Sequence, residues 1–238
     1  MPRSRRLLGG GDMSDKIIGE LNEHTLHLTL KNYIDPDPSN HEREYMGSVC
    51  DVVNSDGITE IETRSFSNLS KKLDKLLKEA PVTVVFPIGK KIWVRWVDGT
   101  TGEISERKPS TKKGRASDVI PELYKIKGSL NDPRLTLRLI FIEEEDYKKR
   151  VGKRRGTRSE RIPISILSEM TIKPSEGIKE LFETIPEGEF TSAEFLKANK
   201  LRGRSAWYGL QLLMTTGEIE KVGEKGRAFI YRLKASSS

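Results

Sequence analysis

The chain has 238 residues, of which 35% are hydrophobic and 32% charged, and its formal net charge is +7. This length allows one large or two small domains with a real hydrophobic core, so no disulfide framework is required. The single cysteine, Cys50, excludes an intramolecular disulfide and indicates a reducing compartment, for which we predict the cytoplasm. No apolar run approaches about 20 residues, which predicts no membrane partner.

The charge is unevenly distributed along the chain. Residues 147–238 contain 19 basic and 11 acidic residues, whereas residues 1–146 contain 23 basic and 24 acidic residues. A basic C-terminal part joined to a near-neutral N-terminal part is typical of nucleic-acid binding, because lysine and arginine neutralise phosphates. A merely soluble, lysine-rich surface would have the same composition.

Periodicity and turn signals predict alternating helices and strands after a disordered leader at residues 1–13. The predicted helices cover residues 15–34, 69–77 and 119–124, and the predicted strands cover residues 44–54, 58–64, 82–88, 91–97 and 135–142. Residues 55–57 (Ser-Asp-Gly) predict a hairpin turn, and residues 101–117 predict a polar, basic loop. This order of elements predicts an α/β fold.

After residue 146 the sequence changes character. Eight basic residues between positions 148 and 161 predict an exposed basic linker over residues 147–172. Helices are predicted over residues 175–185, 191–199 and 202–215, followed by a hairpin of residues 219–222 and 228–233. Three short helices and a hairpin are the arrangement of a winged helix. We therefore predict one domain over residues 14–146 and a winged-helix domain over residues 173–238.

Asp51 and Glu60 form the sharpest candidate site. They lie on the two strands that the predicted turn connects, so a tight hairpin can bring their carboxylates together. Glu62 follows Glu60 by two residues and projects from the same face of its strand. Three carboxylates on one face repel each other unless a cation binds or one stays protonated, and Mg²⁺ or Mn²⁺ prefers such oxygen ligands. Solvated polar positions on an ordinary strand are the alternative interpretation.

These residues belong to a longer pattern that resembles the PD-(D/E)xK nuclease superfamily. The stretches NEHTLHLTLK (22–31), CDVV (50–53), EIET (60–63), VTVVFP (82–87) and RKPSTKKG (107–114) resemble blocks of a group of uncharacterised prokaryotic proteins in that superfamily. The resemblance implies a restriction-endonuclease-like core, in which helices flank a mixed sheet, and a C-terminal winged-helix segment. It also implies hydrolysis of DNA phosphodiester bonds with Mg²⁺ or Mn²⁺ held by Glu23, Asp51 and Glu60.

The sequence departs from that pattern in two places. The lysine of the Glu-x-Lys motif is Glu62 here, where the resembling group usually has glutamine. Lys71 or Lys72 on the next predicted helix is long enough to supply the missing ammonium group, although a solvated helix face is the simpler interpretation. The loop RKPSTKKG has its proline and serine exchanged. The predicted catalytic residues are Glu23, Asp51, Glu60, Glu62 and Lys72.

His24 and His27 lie three residues apart on the first predicted helix. No further cluster of histidine and cysteine accompanies them, so we assign both to packing or surface polarity and not to a transition-metal site.

Residues 202–215 are the predicted recognition helix of the winged helix. Arginine pairs with guanine edges or phosphates, serine bonds phosphates, and aromatic side chains lie against the backbone. The predicted nucleic-acid-binding residues are Lys108, Lys112, Lys113, Arg202, Arg204, Ser205, Trp207, Tyr208, Lys225 and Arg227. A winged helix that contacts protein is the alternative.

Together these features predict a metal-dependent DNA endonuclease, a hydrolase for which a homodimer would be a natural way to cut both strands. Two other classes stay open. One is a catalytically inactive nuclease fold that binds DNA, and the other is a regulator whose winged helix contacts protein.

Overall fold

The computed structural model describes residues 24–151 and 154–234 and has α/β architecture, as the order of predicted elements indicated. The α-helices are α1 (His24–Ile34), α2 (Leu69–Leu76), α3 (Ile120–Leu123), α4 (Ser192–Ala198) and α5 (Ser205–Thr215). The strands are β1 (His41–Tyr45), β2 (Ser48–Asn54), β3 (Gly57–Ile61), β4 (Val82–Asp98), β5 (Lys108–Pro109), β6 (Leu135–Val151), β7 (Arg154–Ile172), β8 (Glu189–Thr191), β9 (Ile219–Lys225) and β10 (Ala228–Leu233). Within the described ranges, no helix is long and apolar enough to cross a membrane.

The larger of two sheets has seven strands in the order β1-β2-β3-β4-β6-β7, with β5 attached to β4. Strands β1 to β3 form an antiparallel meander, β3, β4 and β6 run parallel, and β7 returns antiparallel to β6. Parallel neighbours need crossover connections, which run through α2 between β3 and β4 and through the segment containing α3 between β4 and β6.

Helices cover both faces of the large sheet. On one face, Leu26 and Leu30 of α1 pack against Ile61 and Val85. The opposite face carries a larger core that joins β4 and β6 to α2, α3 and the C-terminal helices, and Val84 belongs to it. Val84 and Val85 lie in different cores because successive residues of a strand point to opposite faces.

The first predicted strand, residues 44–54, is instead two strands. β1 and β2 are joined by Met46 and Gly47, whose φ angles are 51° and 70°. Gly47 has no Cβ and adopts this left-handed conformation without steric cost, so the chain reverses there. The hairpin turn predicted at residues 55–57 is confirmed, since Asn54 pairs with Gly57.

The segment predicted as a basic linker forms strands, and that prediction is wrong. β6 continues to Val151, and β7 is paired antiparallel with it along most of its length. Ile162, Ile164 and Ile166 alternate with other residues, which is a strand pattern that the run of basic residues obscured. Pro163 is tolerated because β7 is an edge strand of the sheet.

The predicted helix over residues 175–185 is also wrong. Only two short 3₁₀ turns form there, at Pro174–Glu176 and Lys179–Leu181. Gly177 between them has a φ angle of 125°, outside the helical region. The Glu218 carboxylate accepts hydrogen bonds of 2.7 and 2.9 Å from the backbone N–H groups of Ile178 and Lys179, so a tertiary contact replaces helical carbonyl partners.

The remaining C-terminal elements agree with the sequence. α4, α5 and the β9–β10 hairpin lie where they were predicted, and the unpredicted β8 pairs with β10 to complete a three-stranded sheet. Phe195 of α4 and Leu210 of α5 belong to the same hydrophobic core as Leu137 of β6. The C-terminal segment is therefore packed onto the large sheet through a shared core.

Candidate functional site

Asp51 is fixed in place by donors from two other elements. Its Oδ1 lies 3.1 Å from His27 Nε2 of α1, and its Oδ2 accepts a 2.7 Å hydrogen bond from the backbone N–H of Ile61. The β2–β3 ladder ends at the pair Val52–Thr59, and beyond it the Asp51 carboxylate takes the place of a strand carbonyl. Burial alone would raise the Asp51 pKa, but these donors outweigh it and hold the pKa below its ordinary value.

Glu60 is the most buried carboxylate of the site, with 4% of its surface exposed. Its Oε2 accepts a 2.6 Å hydrogen bond from Lys72 Nζ, which also donates at 2.6 Å to the Val49 carbonyl. The other oxygen, Oε1, is buried without a hydrogen-bond partner among the described residues. Burial raises the Glu60 pKa, and the Lys72 ion pair offsets only part of this effect. A buried acceptor left without a donor is costly, so Oε1 is a candidate ligand atom.

Helix α2 explains why Lys72, and not Lys71, reaches this carboxylate. Leu69, Leu73 and Leu76 form the buried stripe of the helix. Lys72 borders that stripe and is partly buried, whereas Lys71 is exposed. The structure thus brings Lys72 to Glu60, the carboxylate of the third motif. The usual lysine of that motif is missing two positions after Glu60, where this sequence has Glu62.

Glu62 lies directly after β3 and is partly buried. Burial, followed by the negative charges of Asp51 and Glu60, raises the Glu62 pKa to about 7. Its backbone N–H donates to the Val85 carbonyl at 2.9 Å, which continues the alignment of β3 with β4. The three carboxylates predicted from sequence therefore share one neighbourhood in which negative charge accumulates.

The donor atoms suit a hard divalent cation in kind, because Mg²⁺ and Mn²⁺ prefer carboxylate oxygens. The unpartnered Glu60 Oε1 and the remaining lone pairs of Asp51 are available for such an ion. Within residues 24–151 and 154–234, however, no group of three or more His, Cys, Asp or Glu side chains is arranged to hold a metal ion. Glu23, the third predicted ligand, lies outside the described residues. Asp51 and Glu60 are therefore the predicted ligands that lie within the described residues.

Helix α1 contributes two residues whose role the sequence analysis missed. His27 was assigned to packing or surface polarity, but it contacts Asp51. Lys31, only 3% exposed, donates a 2.8 Å hydrogen bond to Glu42 Oε1, and its charge helps to lower the Asp51 pKa. The available signal was spacing, since residues 23, 27 and 31 recur every four positions and lie on one helix face.

The basic loop between β4 and α3 exposes the three lysines predicted to bind nucleic acid, Lys108, Lys112 and Lys113. The loop is attached to β4 at both ends. Lys108 of β5 pairs with Val94, and the Gly114 N–H donates to the Gly89 carbonyl at 2.8 Å. These attachments fix the position of the exposed lysines on the large sheet.

The predicted DNA-binding residues of the C-terminal segment fall into two groups. Arg202, Arg204, Lys225 and Arg227 are exposed, at the start of α5 and at the β9–β10 turn, and Ser205 is partly buried. The aromatic residues pack on the first part of the chain instead. The Tyr124 ring centroid lies 5.2 Å from that of Trp207 and 4.5 Å from that of Tyr208. Trp207 stays 48% exposed, so one part of its surface is open to a ligand.

Comparison with known proteins places this site inside a family. Residues 24–173 match DUF8091, described as a domain of unknown function, from the first residue of α1 to one residue beyond β7. An uncharacterized protein of Treponema pallidum (strain Nichols) is 30% identical over 224 residues, covering 90% of this chain and 87% of the relative. No solved structure matches the chain significantly. Because the DUF8091 match covers more than half of the chain, the chain belongs to this family.

Proposed function

We propose that this protein is a metal-dependent nuclease that hydrolyses phosphodiester bonds of DNA. The observation that carries the proposal is the ion pair of Lys72 with Glu60, a carboxylate whose pKa the nearby charge of Asp51 also raises. A carboxylate pair and an ammonium group are the chemical set that the PD-(D/E)xK resemblance implies. Lys72 supplies from a helix the group that the sequence lacks at position 62.

The chain's own residues would divide the work between them. Lys72, held at 2.6 Å by Glu60, is placed to hydrogen-bond an attacking water and to offset negative charge. His27 and the Ile61 N–H hold Asp51 in one orientation and keep it ionised. Asp51 and Glu60 would hold a Mg²⁺ or Mn²⁺ ion, with Glu23 as the further predicted ligand. When bound, such an ion supplies a lowered pKa for water and stabilises charge on the phosphodiester.

The architecture supports the same proposal. A helix, a three-stranded meander, a crossover helix and parallel strands follow one another from α1 to β4, as a restriction-endonuclease-like core requires. α4, α5 and the three-stranded sheet would form the winged helix, with β9 and β10 as its wing. In this proposal, the C-terminal segment binds duplex DNA, and a homodimer would place one site on each strand.

A second candidate is a catalytically inactive nuclease fold that binds DNA. It is favoured by the engagement of both Asp51 oxygens, one by His27 and one by the Ile61 N–H. It also agrees with the lack of a three-residue metal group in the described part of the chain. This candidate retains DNA binding and predicts no hydrolysis with any divalent ion.

Cleavage of supercoiled plasmid separates the two candidates. When only the added ion is varied, Mg²⁺ or Mn²⁺ should convert plasmid to nicked or linear forms, and Asp51→Asn should abolish this. Lys72→Met should lower the rate by about 100-fold, while its exposed neighbour serves as the matched control, Lys71→Met, with an unchanged rate. Intact plasmid in every ion, with the wild-type protein folded and bound to DNA, would establish the inactive candidate instead.

A further inference from the structure

Residues 107–115 and residues 197–204 each carry several basic residues and no acidic residue. Residues 107–115 contain five basic residues in nine positions, and residues 197–204 contain four in eight. The basic residues are Arg107, Lys108, Lys112, Lys113 and Arg115 in the first segment and Lys197, Lys200, Arg202 and Arg204 in the second. They lie about 90 positions apart in the sequence, so their charges act together only if the fold joins them.

Arg115 joins the two segments directly. Its Nη1 donates at 3.0 Å to the Asn199 carbonyl, and its Nη2 donates at 3.2 Å to the Lys200 carbonyl. Lys113 and Arg202 each lie two residues from a partner in this contact, which is at most about 8 Å along the chain. We call the joined segments 107–115 and 197–204 the basic surface.

Both halves of the basic surface are held rigidly. The first segment is fixed to β4 by the Gly114–Gly89 hydrogen bond, and a Cβ on Gly114 would lie only 2.6 Å from the Gly89 carbonyl oxygen. The second segment leads into α5, which is held against the first part of the chain by the stack of Tyr124 with Trp207 and Tyr208. The spacing between the two sets of cations is therefore set by the fold.

Most cations of this surface have no internal partner. Within the described residues, Lys112, Lys113, Arg202 and Arg204 are exposed and form no ion pair. Two acidic groups contact this surface: Glu183 pairs with Arg115 at 3.0 Å and with Lys200 at 3.2 Å, and Glu145 lies 3.5 Å from Arg107. Hydrogen bonds from Lys200 and then Arg115 hold the Glu183 pKa below its ordinary value, as a positive environment requires.

Strand β4 connects the neighbourhood of the acidic site with the basic surface. β3 and β4 run parallel, with Glu60 beside Val84, so both strands lead from the site toward Gly89. The loop of residues 107–115 is attached at Gly89 and just beyond it.

We infer that the basic surface binds the phosphate backbone of duplex DNA as one continuous site, with cations from both segments on the same stretch of duplex. The inference rests on the proposed function for the choice of DNA. Its density of unpaired lysine and arginine suits phosphates, whereas the centres of protein interfaces are depleted of lysine.

Binding in the presence of EDTA tests this inference without any hydrolysis. The probe is a fluorescent duplex of about 12 base pairs, about 40 Å long, which is too short to span two separate sites on opposite sides of the protein. The variants are Lys112→Glu/Lys113→Glu and Arg202→Glu/Arg204→Glu. Each should weaken binding at least tenfold at about 0.1 M salt and reduce the salt slope of the affinity by about two.

The matched control is Lys75→Glu/Lys78→Glu, which reverses two exposed lysines near the opposite end of β4. It should change affinity by less than about twofold. The inference is overturned if either test pair behaves like the control, if only one pair affects the short duplex, or if single-stranded RNA binds more tightly than the duplex. A protein that binds DNA in this way but never cleaves it would refute the proposed nuclease activity and leave the basic surface standing.

Discussion

The acidic site and the basic surface use charge in opposite ways. At the acidic site, Glu60 is buried and paired with Lys72, and Asp51 is held by His27. On the basic surface, Lys112, Lys113, Arg202 and Arg204 are exposed and form no ion pair with an acidic group in the described part of the chain. Charges of the first kind are part of the folded interior, whereas charges of the second kind are available to an external ligand. Substitutions at the site should therefore affect stability, and substitutions of the exposed, unpaired cations should affect binding alone.

A substitution in the shared core should have the greatest effect, and it tests whether the large sheet and the C-terminal segment form one folding unit. Phe195 is fully buried between Phe182 and Phe190 in the core that also contains the sheet residue Leu137. Phe195→Ala should lower the free energy of unfolding by about 3–5 kcal/mol. Urea unfolding followed by circular dichroism should show one transition shifted as a whole, while Leu196→Ala, at an exposed neighbour, should change little. Two separate transitions, of which only one is shifted by Phe195→Ala, would show that the large sheet and the C-terminal segment fold independently.

The next prediction concerns Lys72→Met, which removes the ion pair of the acidic site. Lys72→Met leaves the Glu60 carboxylate buried without its cation and should cost about 2–3 kcal/mol, against less than about 0.5 for Lys71→Met. Burial already raises the folded-state pKa of Glu60 above its unfolded value, so the folded state binds more protons. Stability therefore falls as the pH rises from the unfolded-state pKa through the folded-state pKa of Glu60.

The loss of stability caused by Lys72→Met should depend on pH. Without Lys72 the Glu60 pKa should rise further, so the loss of stability should be larger at pH 8 than at pH 5 in chemical unfolding without added metal. An equal loss at both pH values would mean that removing Lys72 does not raise the Glu60 pKa, and would contradict this prediction.

A smaller effect is expected where the basic loop is attached to the sheet. A Cβ on Gly114 would lie 2.5 Å from Ile88 Cγ2 and 2.6 Å from the Gly89 carbonyl oxygen. Gly114→Ala should therefore displace the loop at a cost of about 1–3 kcal/mol and weaken duplex binding at the same time. Gly128→Ala, where nothing lies within 4 Å of a new Cβ, is the control. Unchanged thermal unfolding of Gly114→Ala would contradict the tight attachment.

The smallest effect concerns the stability of the basic surface itself. Lys112→Glu/Lys113→Glu should change the free energy of unfolding by no more than about 0.5 kcal/mol, because both side chains are exposed and unpaired. Differential scanning calorimetry would measure this, and a loss above about 1 kcal/mol would mean that these lysines contribute to the fold.

The sequence predicted elements with strong local signals and missed those determined by distant contacts. The Asp-Gly turn, the leucine stripe of α2 and the helices α4 and α5 follow from periodicity and turn chemistry. β7 was missed because a run of basic residues masked alternating isoleucines, and the helix at 175–185 was wrong because Glu218, 40 residues away, takes its N–H groups.

The acidic site was predictable for a different reason. Asp51, Glu60 and Glu62 lie close together in sequence on one hairpin, so a tight turn brings them together. Lys72 could be proposed as a replacement for the missing lysine because α2 is the first element after that hairpin. The contact of His27 with Asp51, and the joining of residues 107–115 to 197–204 by Arg115, depend on packing across the sheet and could not be read from local patterns.

We propose that the carboxylates of the acidic site make this protein a metal-dependent nuclease. The most direct measurement is the rate of duplex cleavage as a function of Mn²⁺ concentration, for the wild type and Glu60→Gln, with DNA binding measured in parallel. Glu60→Gln keeps the size of the side chain and removes its charge. We predict saturable cleavage by the wild type, none by Glu60→Gln, and equal DNA binding by both. Equal cleavage by the two proteins, or no cleavage by a wild-type protein that binds DNA, would contradict the claim.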